Sequence, residues 1–358
     1  MEKFNCIALT GGGTAGHAIP ALALVPMLRK YFRRIIYIGS EGGIEASLAL
    51  LEGIEYFATP TVKFDRRKWR TNLRIPRILH EASATARKIL SDNGVNVVFS
   101  KGGYCALPAV LGAKAEGIPI VLHESDRTLG LANRFSRLFT PHLLSAFQDL
   151  PGGQWVGNPM REGLIKGDSQ RAPHFAMRHP TLLVMGGSQG ALAINQTLAD
   201  SIDLLSGYNI IHLYGKSPID IKRENYVGME YCHEIENLFA AADGVICRAG
   251  AGTLFELVAL GKKVLMIPLP KGESRGDQEE NAAYFAETYG FACLSQEELT
   301  PQNFSQAIER MIHQPSRAHI HNPLEANFRV ARYLYEHASS QPKRQKSTNI
   351  FQKSDKRS

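Results

Sequence analysis

A chain of 358 residues with 44% hydrophobic content has material for two ordinary cores, yet it holds no run near the roughly 18 apolar residues of a membrane span. Its five cysteines (Cys6, Cys105, Cys232, Cys247, Cys293) are odd in number and lack C-x-x-C pairing, which argues against a disulfide framework or a zinc site; with a first strand that starts too soon for a signal peptide, this points to the cytosol. The net charge of +7 is local: residues 61–79 set seven bases against Asp65 and residues 339–358 set six against Asp355, so the rest of the chain is mildly acidic, which argues against a general nucleic-acid binder.

Residues 4–9 read as a buried strand, followed by the turn Thr10-Gly11-Gly12-Gly13-Thr14-Ala15-Gly16-His17 and a helix predicted over 19–28, with Pro20 near its first turn. Glycines let the backbone pass close to a ligand, and the open N–H groups of a helix start favour an anion. Gly11, Gly13 and Gly16 also satisfy G-x-G-x-x-G, with Glu41 as a candidate ribose acid, so a nicotinamide oxidoreductase and a ligand-free tight turn both stand as alternatives. Next come a strand at 35–39, a helix over 41–51, a strand at 55–58, the basic segment, and a long helix over 72–90. Strands at 95–100, 118–123 and 142–145 complete a first half that alternates strand and helix, as a parallel sheet covered on both faces does.

Gly157-Asn158-Pro159 closes that half, and after a polar stretch to Arg178 the pattern restarts. A strand at 181–185 leads into Gly186-Gly187-Ser188-Gln189-Gly190-Ala191 and a helix over 191–205; strands follow at 209–213, 244–247 and 263–267. The expected fold class is therefore α/β, two Rossmann-like domains whose parallel sheets face one another across a cleft. The second glycine turn lacks the Gly-Lys-Ser/Thr of a Walker A loop, so its phosphate binding must come from backbone N–H groups, Ser188 and helix ends. A third such turn, Arg248-Ala249-Gly250-Ala251-Gly252-Thr253, precedes a helix carrying Glu256, which suits a ribose diol or else merely favours the helix dipole. The polar loop from Pro270 to Asn281 suits sugar hydroxyls, or is a solvated loop capped by Asp277.

Seven segments in register carry a resemblance: GGGTAGHAIP (11–20), SKGGYCALPA (100–109), HESDRTLGLANR (123–134), GNPMR (157–161), GGSQGA (186–191), CRAGAGTLFE (247–256) and GDQEENA (276–282). From residue 4 to about 335 the chain resembles the MurG-like glycosyltransferases, family 28 enzymes of the GT-B fold. That resemblance implies an inverting hexosyltransferase moving N-acetylglucosamine from UDP-N-acetylglucosamine to lipid I, the undecaprenyl-linked muramyl-pentapeptide. The product is lipid II for peptidoglycan, hence cell-wall biogenesis, cell shape and cell division. It further implies a peripheral position on the anionic cytoplasmic face of the bacterial inner membrane, other cell-wall synthesis enzymes as partners, no nucleic acid, no cofactor and no bound metal.

By motif, the resemblance puts Ser188 and the backbone of Ala251, Gly252 and Thr253 at the diphosphate, Glu256 at the ribose, Ile235 beside the uracil, Arg161 near the nucleotide and Gln278 at the sugar hydroxyls. Thr14, Ala15 and Gly16 line the facing wall; Asp126 stands where the family motif has Asn, an acceptor-only group in place of one that also donates. His17 is the expected base, because imidazole exchanges protons near neutral pH, with His123 and Glu124 as further candidates and His123 equally readable as structural. The implied organisation is an acceptor and membrane-facing domain over 1–157, a UDP-sugar domain over 158–322, a helix over 323–338 crossing back to the first domain, and a basic disordered tail over 339–358. Membrane contact is assigned to the 61–79 segment, whose bases are interleaved with Phe64, Trp69, Leu73, Ile75 and Ile78. A UDP-sugar sensor without transfer activity and a diacylglycerol glycosyltransferase are the competing readings; the 100–109 and 123–134 motifs speak against the latter.

Overall fold

The structure, a computed structural model, describes residues 2–61, 74–187, 190–272, 276–315 and 322–338. Ser188, the core of the basic segment (62–73) and the tail (339–358) therefore lie outside the described residues.

Two parallel sheets organise the chain. The first runs in the order β3 (Glu55–Thr59), β2 (Phe32–Ser40), β1 (Phe4–Thr10), β4 (Val95–Ser100), β5 (Ile120–Glu124), β6 (Leu143–Ser145), β7 (Gln154–Trp155). The second repeats the scheme as β10 (Tyr226–Met229), β9 (Asn209–Leu213), β8 (Thr181–Met185), β11 (Gly244–Cys247), β12 (Lys263–Met266), β13 (Ala292–Cys293). In register, Ile7 lies between Ile35 and Val97, and Val184 pairs with both His212 and Ile246. Both faces of each sheet are buried, as parallel strands require. On β1, Ile7 and Leu9 join one apolar cluster while Cys6 and Ala8 join another, the period-2 alternation of a strand covered on both sides. Leu183 and Met185 against Leu182 and Val184 do the same on β8.

The helix after the first glycine turn starts earlier than its sequence pattern indicates. Thr14 is extended (φ −151°, ψ 155°) and α1 runs Ala15–Leu22, so Gly16 and His17 sit in the first turn and Pro20 lies inside the helix. A proline there removes one helical hydrogen bond. The helix stops at Leu22 and resumes as α2 (Val25–Leu28), which has its own proline in the opening turn. The next helix, α3 (Ile44–Leu51), begins three residues later than expected, leaving Glu41 in an exposed turn. Elsewhere α4 spans Ile75–Asp92, α5 Leu107–Glu116, α6 Leu131–Ser136 and α7 Leu192–Asp200, the last shorter than the predicted 191–205.

Two features tie the halves together. Phe147, in the loop after β6, is 1% exposed and inserts among Phe255, Tyr284 and Phe285 of the second half, with ring centroids 5.2, 4.8 and 6.0 Å away. Burying such a ring contributes about 2 kcal/mol. The last helix, Glu325–His337, packs Val330, Ala331 and Leu334 into the core of the first sheet, and Tyr335 meets Phe4 edge-on at 5.4 Å. Its Asn327, buried, donates to the carbonyls of Ala23 and Met160 and accepts from the Met160 amide. All five cysteines are free thiols; burial pushes those of Cys6 and Cys247 up to about 12.

Candidate active site

In the first sheet β1 is flanked by β2 and β4, so the chain reverses direction there and leaves a crevice beyond the strand ends. The 11–14 turn and the loop Lys101-Gly102-Gly103 fill it side by side. Gly103 has φ 79° and ψ 159°, and a Cβ there would lie 2.3 Å from the Gly12 carbonyl oxygen. The Tyr37 hydroxyl donates to the carbonyl of Gly11. Under the turn lies Glu45, from the first turn of α3 and fully buried, whose Oε1 accepts from the Ser40 amide (3.0 Å) and hydroxyl (2.6 Å). Burial pushes this carboxyl up, but the Ser40 hydroxyl and amide, its own amide and that of Gly13 outweigh the effect and hold it below the usual carboxylate range. A carboxylate thus supports the turn that carries Thr14 and His17. Thr14 and Gly16 are exposed, and Thr14 Oγ1 lies 2.9 Å from His17 Nδ1.

Glu45 yields a pH-dependent expectation. A carboxylate whose folded-state value is depressed stabilises the protein above its unfolded value, and that contribution fades as pH falls through the folded one. Glu45→Gln should therefore be less stable than wild type at pH 7 by about 1–3 kcal/mol, with the gap narrowing below about pH 4. Chemical denaturation of both proteins at pH 7 and pH 3.5 checks this; a gap equal at the two pH values would show that the charge is not what matters.

The loop after β5 holds three of the sequence candidates. Glu124 accepts from the Ser125 and Asp126 amides with one oxygen, and from the Gly130 amide and Asn133 Nδ2 with the other. His123, fully buried, sets Nε2 2.9 Å from the Gly157 carbonyl and Nδ1 2.7 Å from Lys101 Nζ, and burial, aided by Lys101, drives its pKa well down. Both side chains thus hold the loop together. Asp126 faces the cleft, its carboxyl pushed up to about 6 by burial and by Glu124, with the Asn281 hydrogen bond opposing. Asn281, on α10 (Asp277–Tyr289; the helices before it are α8, Ile235–Ala241, and α9, Ala251–Ala259), is the cross-cleft link. Its Nδ2 donates to Asp126 Oδ1 and the Ala249 carbonyl, both at 3.1 Å, and its Oδ1 accepts from the Arg127 amide at 3.2 Å.

On the second sheet the turns after β8 and β11 are neighbours in the same way. Gly190 has φ 79°, and a Cβ on it would meet the Tyr214 carbonyl at 2.3 Å. Helix α9 has Gly250 at its N-cap and no capping side chain, so Ala251, Gly252 and Thr253 open the helix with N–H groups suited to an anion. Glu256, further along this helix, is pushed up to about 7 by burial, an effect that Arg161 opposes. The Arg161 Nε is itself buried without a hydrogen-bond partner. Ile235 opens α8, half-buried against the second core. Gln278 is half-buried, with Oε1 taking the Leu269 amide at 3.0 Å. Asp277 does not cap α10: Gly276 holds the N-cap, and Asp277 Oδ1 is buried with no partner.

The two crevices thus differ in chemistry. The second offers an uncapped helix start, an arginine and a carboxylate, a set for a nucleoside phosphate; the first offers a histidine on a turn held from below by a carboxylate. Glu45, Lys101 and Asn281 are the residues that sequence reasoning did not single out. Among the described residues no group of three or more His, Cys, Asp or Glu side chains is placed to hold a metal ion.

Comparison with known proteins bears on both halves. Residues 7–142 match the glycosyltransferase family 28 N-terminal domain and residues 181–333 the glycosyltransferase family 28 C-terminal domain. A protein of Oceanobacillus iheyensis named UDP-N-acetylglucosamine–N-acetylmuramyl-(pentapeptide) pyrophosphoryl-undecaprenol N-acetylglucosamine transferase is 41% identical over 317 residues, 85% of this chain and 89% of its own. A protein of Clostridium botulinum with the same name is 40% identical over 316 residues, 84% of this chain and 89% of its own. Among solved structures, MurG of Acinetobacter baumannii superposes with a TM-score of 0.71 at 21% identity, covering 93% of this chain and all (100%) of that one. The kitacinnamycin glycotransferase does so with a TM-score of 0.69 at 15% identity, covering 94% and 96%. At these identities the structural likeness concerns the fold.

Proposed function

The chain belongs to glycosyltransferase family 28, and we propose that it transfers N-acetylglucosamine from UDP-N-acetylglucosamine to the pyrophosphoryl-undecaprenol-linked muramyl-pentapeptide, lipid I, giving lipid II. The observation that carries this reading is the 41% identity over 85% of the chain to a transferase of that name. The uncapped start of α9 beside Glu256 and Arg161 supports it as a donor site.

In this reading the second half holds the donor. Ser188 and the amides of Ala251, Gly252 and Thr253 take the diphosphate, Glu256 accepts from the ribose diol, Ile235 flanks the uracil, Arg161 neutralises the nucleotide, and Gln278 and Asp126 meet the sugar. The first half, up to residue 157, brings the acceptor, and its Thr14, Ala15 and Gly16 form the wall that faces the donor site. The acceptor hydroxyl attacks the anomeric carbon from the face opposite UDP, so a carbon–oxygen bond forms to the acceptor as that to the diphosphate breaks. The hydroxyl proton passes to His17, and the helix-start amides stabilise the charge growing on UDP. The configuration inverts, and no cofactor takes part. The test is turnover of the purified protein with lipid I and UDP-N-acetylglucosamine, with UDP-N-acetylgalactosamine as competitor. Preference for the gluco donor is expected; equal use of both would show that Asp126 has loosened the sugar site, and absence of transfer with UDP binding intact would leave a sensor.

The acceptor's lipid requires a membrane approach, and we place it at the basic segment on the cytoplasmic face. No helix among the described residues is long and apolar enough to cross a membrane. Beside the undescribed stretch 62–73, Ile75, Ile78 and Leu79 form an apolar recess with Tyr104, Leu107 and Pro108. Each base close to anionic lipid adds on the order of 1 kcal/mol. Changing Arg66, Arg67 and Lys68 to Glu and Trp69 to Ser should weaken binding to phosphatidylglycerol vesicles while sparing UDP affinity; undiminished vesicle binding would shift attention to the basic tail.

A further inference from the structure

Lys101 has a role that the reaction scheme above leaves unused. It is 2% exposed, follows β4 directly, and pairs its amide with the Thr10 carbonyl at 2.9 Å. A buried ammonium is costly unless paired, yet among the described residues no carboxylate lies within ion-pair distance of it. Its Nζ instead donates to His123 Nδ1 at 2.7 Å and to Ser125 Oγ at 2.5 Å. Burial lowers its pKa to about 7, so the direction of these bonds is set by the two end acceptors, a carbonyl oxygen and an amide oxygen that have no proton to give. His123 must carry its proton on Nε2, which donates to the Gly157 carbonyl, and Ser125 must donate its hydroxyl hydrogen to Asn158 Oδ1 at 2.7 Å. Gly157 and Asn158 belong to the peptide by which the chain leaves the first half. The residues after Ser125 are those that cross the cleft: Asp126 and Arg127 bind Asn281, and the Arg127 guanidinium lies 5.3 Å from the ring centre of Tyr284.

We infer that Lys101 is a positioning residue for transfer: its Nζ wires the 123–127 loop to the crossover peptide Gly157-Asn158, and so sets how the acceptor half presents that loop to the donor half. It is buried behind the loop and acts through Ser125 and His123. The inference rests on the proposed transfer activity for its kinetic arm only, since the wiring itself can be read without substrate.

The test is Lys101→Met in the full chain, similar in length but without a donor. Hydrogen exchange should quicken about tenfold at the Arg127 amide, which is held only across the cleft, and kcat should fall about tenfold, while UDP affinity stays within about twofold. A general packing defect would lower UDP affinity and kcat together, and that result would overturn the proposal. Wild-type exchange at Arg127 with wild-type kcat would overturn it too. If Lys101→Met does not fold, Ser125→Ala, which removes the branch to Asn158 alone, should still quicken exchange at Arg127, and unchanged exchange there would count against the wiring. If the wild-type protein transfers no sugar, the functional reading fails while the exchange arm still decides the role of Lys101.

Discussion

Replacing His17 with alanine should lower turnover by about 10² or more and leave UDP affinity within about twofold, because in the proposed reaction it is the general base, which acts on the transition state, while the proposed donor site lies in the other half. The geometry favours this split. His17 lies in the first turn of α1, with Nδ1 2.9 Å from Thr14 Oγ1, on a turn braced by Glu45 and Gly103. Thr14→Ala should therefore lower turnover less than His17→Ala, since it loosens the ring without removing it. Steady-state kinetics with UDP-N-acetylglucosamine and lipid I, together with calorimetric UDP titration, separate the two quantities. Turnover unchanged in His17→Ala would assign the imidazole to structure. Loss of UDP affinity in step with turnover would move it to the donor site.

Gly103→Ala should destabilise the protein by about 3 kcal/mol or more and abolish transfer. Its φ of 79° with ψ of 159° belongs to a region that side-chain-bearing residues avoid, and the added carbon would lie 2.3 Å from the Gly12 carbonyl oxygen. That neighbour is backbone and cannot swing away as a side chain would, so relief requires separating the two loops that shape the first crevice. Gly117 is the control. It too has positive φ, 69°, but a Cβ there meets nothing within 4 Å, so Gly117→Ala should cost only about 1 kcal/mol. Thermal unfolding of both variants compares a strained, crowded site with an open left-handed one; equal losses at the two sites would mean that the loops are not interlocked.

The strand framework was legible because buried parallel strands are continuous apolar runs punctuated by turn residues. Val95–Ser100, Thr181–Met185, Asn209–Leu213 and Gly244–Cys247 begin and end where the sequence pattern says. The short strands Gln154–Trp155, Tyr226–Met229 and Ala292–Cys293 were not legible, since two to four residues at a sheet edge carry no period of their own. The start of α1 was misplaced because Thr14 makes no side-chain cap, leaving Pro20 as the more visible landmark. Buried polar residues were the hardest to see. Glu45 lies on a short helix where a charged residue is expected to face water, yet it is fully buried, with Gly12, Gly39, Ser40 and Gly43 packed against it. Lys101 and Asn281 have the same character: each is polar, buried, and defined by partners distant in sequence. His123 was readable as base or brace, and its contacts with Lys101 and the Gly157 carbonyl show it bracing the loop.

The return of Glu325–His337 to the first half has a mechanical consequence. A body joined to another by one flexible linker can swivel about any axis, whereas one joined at two points can rock only about the line through them. Here the outgoing strand of chain and the returning one are also pinned to each other, by the reciprocal bonds between Asn327 and the Met160 backbone. The third bond from Asn327, to the Ala23 carbonyl, anchors that pin to the end of α1. The two crossings therefore act as one braced joint, stiffer than either segment of chain alone. Such a joint resists twist between the halves, so the crevice beyond β1 and the crevice beyond β8 keep their alignment.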